Sequence, residues 1–366
     1  MSNSNKKIVH ILSIDGGGIK GIIPLIILKY IADKANKPIH KLFDVIGGTS
    51  TGGIIALGLN SKIPGTENIY TPQEILKFYT EDDQVKRIFK KDTSFSVEGL
   101  KNFVRDNILS KTPWVKDYGA GITSSEYMGI GIEEFLKEKF GKKLKMSQLA
   151  TDCDVTVYSY DIRSCEPYSI NTEKAKNDSK HDFYVWEAAR STSAAPTFFP
   201  ALKSETDPKK ILVDGGIFIN NPAMDLFIRA IKLYPHAEKY VLVSLGTGDF
   251  SDSCSERLIN AGFVDWIRPL MSYMMNGVSA QVDEQLNKLL KEQSSKTNEM
   301  TDHLQEKSSY YRFNPKFDKD IAMDDIETLA LKRLKHLGEE FLEDNKKHLD
   351  VLINNLNQSL REKEMV

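Results

Sequence analysis

Twice near its start the chain runs from an apolar segment of strand length, through a cluster of glycines, into an apolar segment of helix length. The first unit is Ile8–Ile14, then Asp15-Gly16-Gly17-Gly18-Ile19-Lys20-Gly21, then Ile22–Ala32, with Pro24 in a first turn that tolerates it. The second is Phe43–Ile46, then Gly48-Thr49-Ser50-Thr51-Gly52, then Ile54–Leu59. Two such units in sequence imply a parallel sheet with helices packed on it. The expected class is therefore α/β.

Further along, Val155–Tyr160 is β-rich, and Pro167–Ile170 is its expected hairpin partner. Ile211-Leu212-Val213 reads as a buried strand that stops at Asp214-Gly215-Gly216, and Tyr240–Leu245 as another that stops at Gly246-Thr247-Gly248. Residues 60–130 form a polar, irregular insertion with helical segments at Pro72–Tyr79 and Val97–Asn107, placed to border a cleft. Past residue 256 the pattern becomes helical. Trp266, Leu270, Met271, Met274, Met275, Leu286 and Leu290 recur at helical spacing, a core face or else a lid or acyl channel. Tyr310–Phe313 reads as an edge strand, and residues 324–360 as a charged helix with Leu329, Leu334, Leu337, Phe341, Leu349 and Leu352 on one face. The expected division is a catalytic domain over 1–256 and a mainly helical region over 257–366 that packs on it or extends it.

The net charge of −2 gives no argument for nucleic acid. Three scattered cysteines, Cys153, Cys165 and Cys254, make neither a disulfide framework nor a zinc site, and buried thiols in a reducing compartment are expected. Met1–Lys7 is polar, and no apolar run is long enough to span a bilayer. A cytoplasmic protein, or one secreted by a signal that is not cleaved, fits. If its substrate is a lipid, the protein must meet it peripherally, at a membrane surface.

Gly48-Thr49-Ser50-Thr51-Gly52 fits the Gly-x-Ser-x-Gly pattern of a nucleophile elbow between strand and helix. A helix N-cap is the competing reading of Ser50. Gly16-x-Gly18-x-x-Gly21 fits a dinucleotide fingerprint, but Asp15 would put negative charge at the pyrophosphate, and no acidic strand end follows at the required distance. Used instead as an oxyanion site, the loop exposes backbone N–H groups unobstructed by side chains, with Lys20 reinforcing the positive field. None of the seven histidines follows a strand end as a triad base does. Asp214 does, so the economical arrangement is three convergent tips with Asp214 taking the Ser50 proton, its pKa raised by burial. An Asx turn is the competing reading of Asp214.

Taken together, Asp15–Gly21, Gly48–Gly52, Ser193-Ala194-Ala195-Pro196 and Asp214-Gly215-Gly216 resemble, in order, the motifs of the patatin-like phospholipases. The resemblance covers about Ile8 to Thr247, departs at Lys20 where the family usually carries arginine, and is read as pointing to a bacterial member. It implies a three-layer sandwich with helices on both faces of a largely parallel sheet, followed by a helical C-terminal extension. It also implies a lipid acyl hydrolase with Ser50 as nucleophile, Asp214 as base, and an oxyanion hole formed by Gly16, Gly17 and Gly18 with Lys20. No metal or organic cofactor is implied. Membrane phospholipids or other acyl lipids are the expected partners, with an activator or self-association engaging the C-terminal helices. A nucleotide-binding protein using Gly16–Gly21, or a lipid-binding protein without turnover, are the alternatives.

Overall fold

The structure, a computed structural model, describes residues 8–90, 127, 129–250, 258–259, 263–290, 304–319 and 321–364. Ten strands are described: β1 (Ile8–Ile14), β2 (Val45–Thr49), β3 (Asp154–Asp161), β4 (Glu166–Asn171), β5 (Leu202–Lys203), β6 (Ile211–Asp214), β7 (Lys239–Leu245), β8 (Asp249–Phe250), β9 (Ser308–Phe313) and β10 (Lys316–Phe317). The main sheet has the order β5-β6-β3-β2-β1-β7-β9, with β4 also paired to β3. Strands β3, β2, β1, β7 and β9 are mutually parallel, whereas β4, β5 and β6 supply the antiparallel pairings.

Strand periodicity divides the buried side chains between two faces. On β1, Val9 and Ile11 join one apolar cluster with the helices Ala223–Leu233 and Phe263–Leu290. Leu12 and Ile14 join the other, with Ile22–Ala35, Thr51–Gly58, Gly129–Phe140 and Val185–Thr192. The sheet is thus the middle of three layers, as expected.

The arrangement at the tip of Asp214 differs from the expectation of parallel strands all ending at one edge. β3 has two edges. β4 runs along one of them from Thr156 to Asp161, so β2 and β6 share the other. β2 leaves that edge at Thr49, opposite Tyr158; β6, running the opposite way, reaches it at Asp214, opposite Ser159. The carboxyl ends of β2 and β6 therefore meet tip to tip on adjacent residues of β3.

The region after residue 256 is not helix alone. β9 lengthens the main sheet in parallel register with β7, Ser244 opposite Arg312, while β10 pairs with β8. The helix Thr328–Glu364 lies against Ile22–Ala35, where Tyr30 donates to Asp350 Oδ1 at 2.6 Å. Its Leu334, Leu349 and Leu352 are buried as the spacing predicts, but Leu329 is 79% exposed, because the first turn faces Ala330 and Leu331 inward instead. Cys153 is buried; Cys165 is exposed in the β3–β4 turn, against the expectation of a buried thiol. Cys254 and the expected helix at Val97–Asn107 lie outside the described residues. Among the described residues no helix is long and apolar enough to cross a membrane.

Candidate active site

Ser50 links β2 to the helix Thr51–Gly58 with φ 55° and ψ −124°, a conformation that costs about 1–3 kcal/mol and persists only where its surroundings enforce it. Close approach explains the flanking glycines. A Cβ on Gly48 would lie 2.2 Å from the Gly52 carbonyl carbon, and one on Gly52 would lie 2.2 Å from Ile14 O. Ser50 N–H donates to Thr192 Oγ1 (3.0 Å), and the Thr192 hydroxyl donates on to Tyr158 O. The elbow is thereby tied to β3. Ser50 does cap its helix in sequence, but its side chain makes no capping bond, so the hydroxyl is left for other use.

Asp214 is 1% exposed. Its N–H donates to Ala194 O (3.0 Å), and its Oδ1 accepts from Gly216 N–H (2.7 Å). Burial pushes its carboxyl up to about 7, opposed by the Ser50 hydroxyl and then by the Gly216 N–H, both of which stabilise the anion. Among the described residues Oδ2 makes no hydrogen bond, and the Ser50 hydroxyl lies close enough to this carboxyl to stabilise its anion. The Asx-turn reading of Asp214 is correct as far as the Gly216 bond goes, and it leaves the second oxygen for the serine. No histidine partners either residue among those described; His10 is held between Leu42 O and Ser359 Oγ.

The glycine-rich loop packs directly on the elbow, with Gly16 so placed that a Cβ there would approach Ser50 Cβ to 3.2 Å. Its backbone donors are unequally used. Asp15 N–H goes to Leu245 O, Gly16 N–H to Asn220 O, Ile19 N–H to Met323 O and Lys20 N–H to Gly17 O. Among the described residues no acceptor meets the N–H groups of Gly17 and Gly18. Of the expected oxyanion set, then, Gly17 and Gly18 have donors to offer and Gly16 does not. Gly18 takes φ +59°, and a Cβ there would strike Met323 O at 2.1 Å, so only glycine fits. Lys20 is buried with its ammonium 5.7 Å from the Phe250 ring, on the side of the loop that packs against β8. Asp15 does not face a ligand: both its oxygens accept from Arg312.

An apolar pocket opens at Ser50. It runs between the insertion helices and the segment after Thr192, lined by Ile54, Phe78, Phe135, Leu136, Ala195 and Phe199 among others. Among the described side chains of the helix Phe263–Leu290 none lines it, so Met271, Met274 and Met275 do not form that pocket. Met275 instead sets its methyl against Gly16 and Gly216, where added Cβ atoms would come within 3.3 and 2.9 Å. Met271 is buried and Met274 is 40% exposed. Thr192, Asn220 and Arg312 all touch the site yet lie outside the motifs singled out in the sequence. Only proximity to Ser193–Pro196 could have flagged Thr192. Among the described residues no cluster of three or more His, Cys, Asp or Glu side chains is placed to hold a metal ion.

Comparison with known proteins places these motifs in company. A family profile described as "Patatin-like phospholipase" matches residues 12–227. "Patatin-like protein 2" of Arabidopsis thaliana is 29% identical over 326 residues, covering 80% of this chain and 74% of that protein. Its namesake in Oryza sativa subsp. indica is 31% identical over 230 residues, 60% of this chain and 52% of that one. Human "Calcium-independent phospholipase A2-gamma" is 23% identical over 364 residues, 96% of this chain and 40% of that one. The chain thus spans about half the length of the rice relative and less of the human one. Among solved structures, VipD from Legionella pneumophila matches with a TM-score of 0.32 and 11% identity, over 91% of this chain and 67% of that one.

Proposed function

The chain belongs to the patatin-like phospholipase family, and from that premise we propose that it is a lipid acyl hydrolase working through a Ser50–Asp214 dyad. The observation that carries the reading is the buried Asp214 carboxylate, raised to about 7, beside a serine held at φ 55°. A carboxylate near neutrality is a competent base at physiological pH, and strain at the serine is what an exposed nucleophile requires.

The steps follow from the placement. Ser50 Oγ attacks the ester carbonyl carbon as its proton passes to Asp214 Oδ2. The tetrahedral oxyanion accepts from the Gly17 and Gly18 N–H groups. Its collapse breaks the bond to the leaving alcohol, which takes the proton from Asp214. Water then attacks the acyl-serine carbonyl, giving a proton to Asp214. The second collapse releases the fatty acid and returns that proton to Ser50. The pocket at Ser50 is walled mainly by apolar side chains such as Ile54, Phe78, Phe135, Leu136 and Phe199, which suits an acyl chain better than a nucleotide. The loop offers a pyrophosphate few donors, since the Asp15, Gly16, Ile19 and Lys20 N–H groups are already used. The substrate is a membrane acyl lipid met peripherally. The catalytic motifs lie within residues 1–256, but the catalytic fold takes in the region after residue 256, since β9 extends the same sheet; the helices of that region are where an activator or a second copy would act.

The test is a panel of phosphatidylcholine, phosphatidylethanolamine and galactolipid vesicles, with mass-spectrometric readout of lysolipid and free fatty acid. The parent releases both and Ser50→Ala releases neither. Vesicle binding without release by either protein would mean lipid binding without turnover.

A further inference from the structure

Resting on that reading, we propose that Thr247, beyond the residues matched by the family profile, is a positioning residue that aims the Gly17 N–H at the developing oxyanion. The peptide between Gly16 and Gly17 carries the Gly16 carbonyl on one side and the Gly17 N–H on the other. The two point in opposite directions because the group is planar and trans. Whatever fixes that carbonyl therefore fixes the donor. With glycine on both sides, the peptide plane meets little resistance of its own to rotation.

Two side chains hold it. Thr247 Oγ1 donates to Gly16 O at 2.7 Å, and Asn220 Nδ2 donates to the same oxygen at 3.3 Å. The threonine bond is the shorter. Asn220 Nδ2 also donates, with its other hydrogen, to Ser279 Oγ at 2.9 Å, and its longer bond to Gly16 O leaves the hydroxyl as the closer of the two holds. Thr247 is itself held in place. It is 5% exposed at the tip of β7, and it lies so close to Gly17 that a Cβ there would meet Thr247 Oγ1 at 2.3 Å. That contact gives Gly17 a reason to be glycine that turn geometry alone does not supply. Removing the hydroxyl leaves a buried carbonyl with only its longer bond and frees the plane to turn, which misaligns the donor without touching serine, aspartate or the acyl pocket.

The test compares Thr247→Val, which keeps shape and loses the donor, with Thr247→Ser, which keeps the donor, and with Thr247→Ala as a smaller variant without it. Three quantities are read on folded full-length protein: kcat, KM, and affinity for a trifluoromethyl ketone whose hemiketal carries the oxyanion. Valine and alanine are expected to lower kcat about tenfold or more, to lower ketone affinity in parallel, and to leave KM within about twofold; serine restores kcat and ketone affinity. The inference is overturned if valine keeps kcat and ketone affinity, or if serine fails as valine does, since packing alone would then explain the site. A parent without Ser50-dependent turnover would overturn the hydrolase reading itself, and this inference with it.

Discussion

Arg312 reaches across β7 to grip Asp15 with both arms of its guanidinium, at 2.9 and 2.7 Å, while a third bond of 2.8 Å goes to Ser244 Oγ on the strand between. The pair joins the last described strand of the main sheet to the residue that opens the glycine-rich loop. Burial pushes the Asp15 carboxyl up and Arg312 pulls it back, while Asp15 holds Arg312 protonated against its own burial. Removing one partner strands a buried charge, which costs about 3–5 kcal/mol. Arg312→Gln is therefore expected to lower stability by that order in chemical denaturation. The double variant Asp15→Asn with Arg312→Gln should recover a substantial part of the loss. Equal losses in the single and double variants would mean that the two residues do not act as a pair.

Activity should titrate with the base. Asp214 must be ionised to accept the Ser50 proton, and burial raises its pKa to about 7. The ratio kcat/KM is expected to rise tenfold per pH unit below that value and to level off above it. A profile flat from pH 5 to pH 8 would exclude a buried carboxylate as the base.

The same shift carries a cost in stability. A carboxyl raised from 3.8 to about 7 on folding holds its proton better in the native state. Stability then falls as pH rises from the unfolded value towards 7 and stays lowered above it, by at most about 4 kcal/mol. Asp214→Asn removes that burden. The variant should be inactive, and it should melt above the parent at pH 8, the gap narrowing as pH falls towards 4. An inactive variant that melts below the parent at pH 8 would point to a structural carboxylate.

Ala195 lines the pocket a few residues after Thr192 and is 7% exposed. Ala195→Phe fills the pocket near the nucleophile, at a packing cost of about 1–3 kcal/mol. Turnover of long-chain p-nitrophenyl esters should collapse while that of the acetyl ester persists. Equal losses on both would place the acyl chain elsewhere.

Much of this architecture is legible in the chain itself, because the signals are local. An apolar run ending at Gly16–Gly18, or at Gly48 with Ser50, announces a strand turning sharply into a helix, and three such tips announce where strands end. What stays hidden depends on contacts between distant segments. Nothing around Asp214 reveals that β6 runs antiparallel and meets β2 end to end on β3, since strand direction is set by the connections and not by the strand's own residues. Gly16, Gly17 and Gly18 look equivalent in sequence, yet Asn220 O takes the Gly16 N–H and leaves the other two. Lys20 looks in sequence like a reinforcing charge, and nothing local reveals that its ammonium lies 5.7 Å from the Phe250 ring. Arg312 sits in an unremarkable strand, and only the register of β9 on β7 brings it to Asp15. The methionine spacing predicts a buried helical face, which Met271 and Met275 form, but not that Met275 lies against both glycine tips.

The central claim is that an acyl group resides on Ser50 during turnover, and trapping it is the most direct measurement. Protein quenched in acid while hydrolysing a long-chain ester is digested, and the peptide spanning Gly48–Gly52 is weighed. The account predicts an adduct of acyl mass on Ser50, absent from Ser50→Ala. Ser50-independent hydrolysis, or an acyl group found on any other residue, would contradict it.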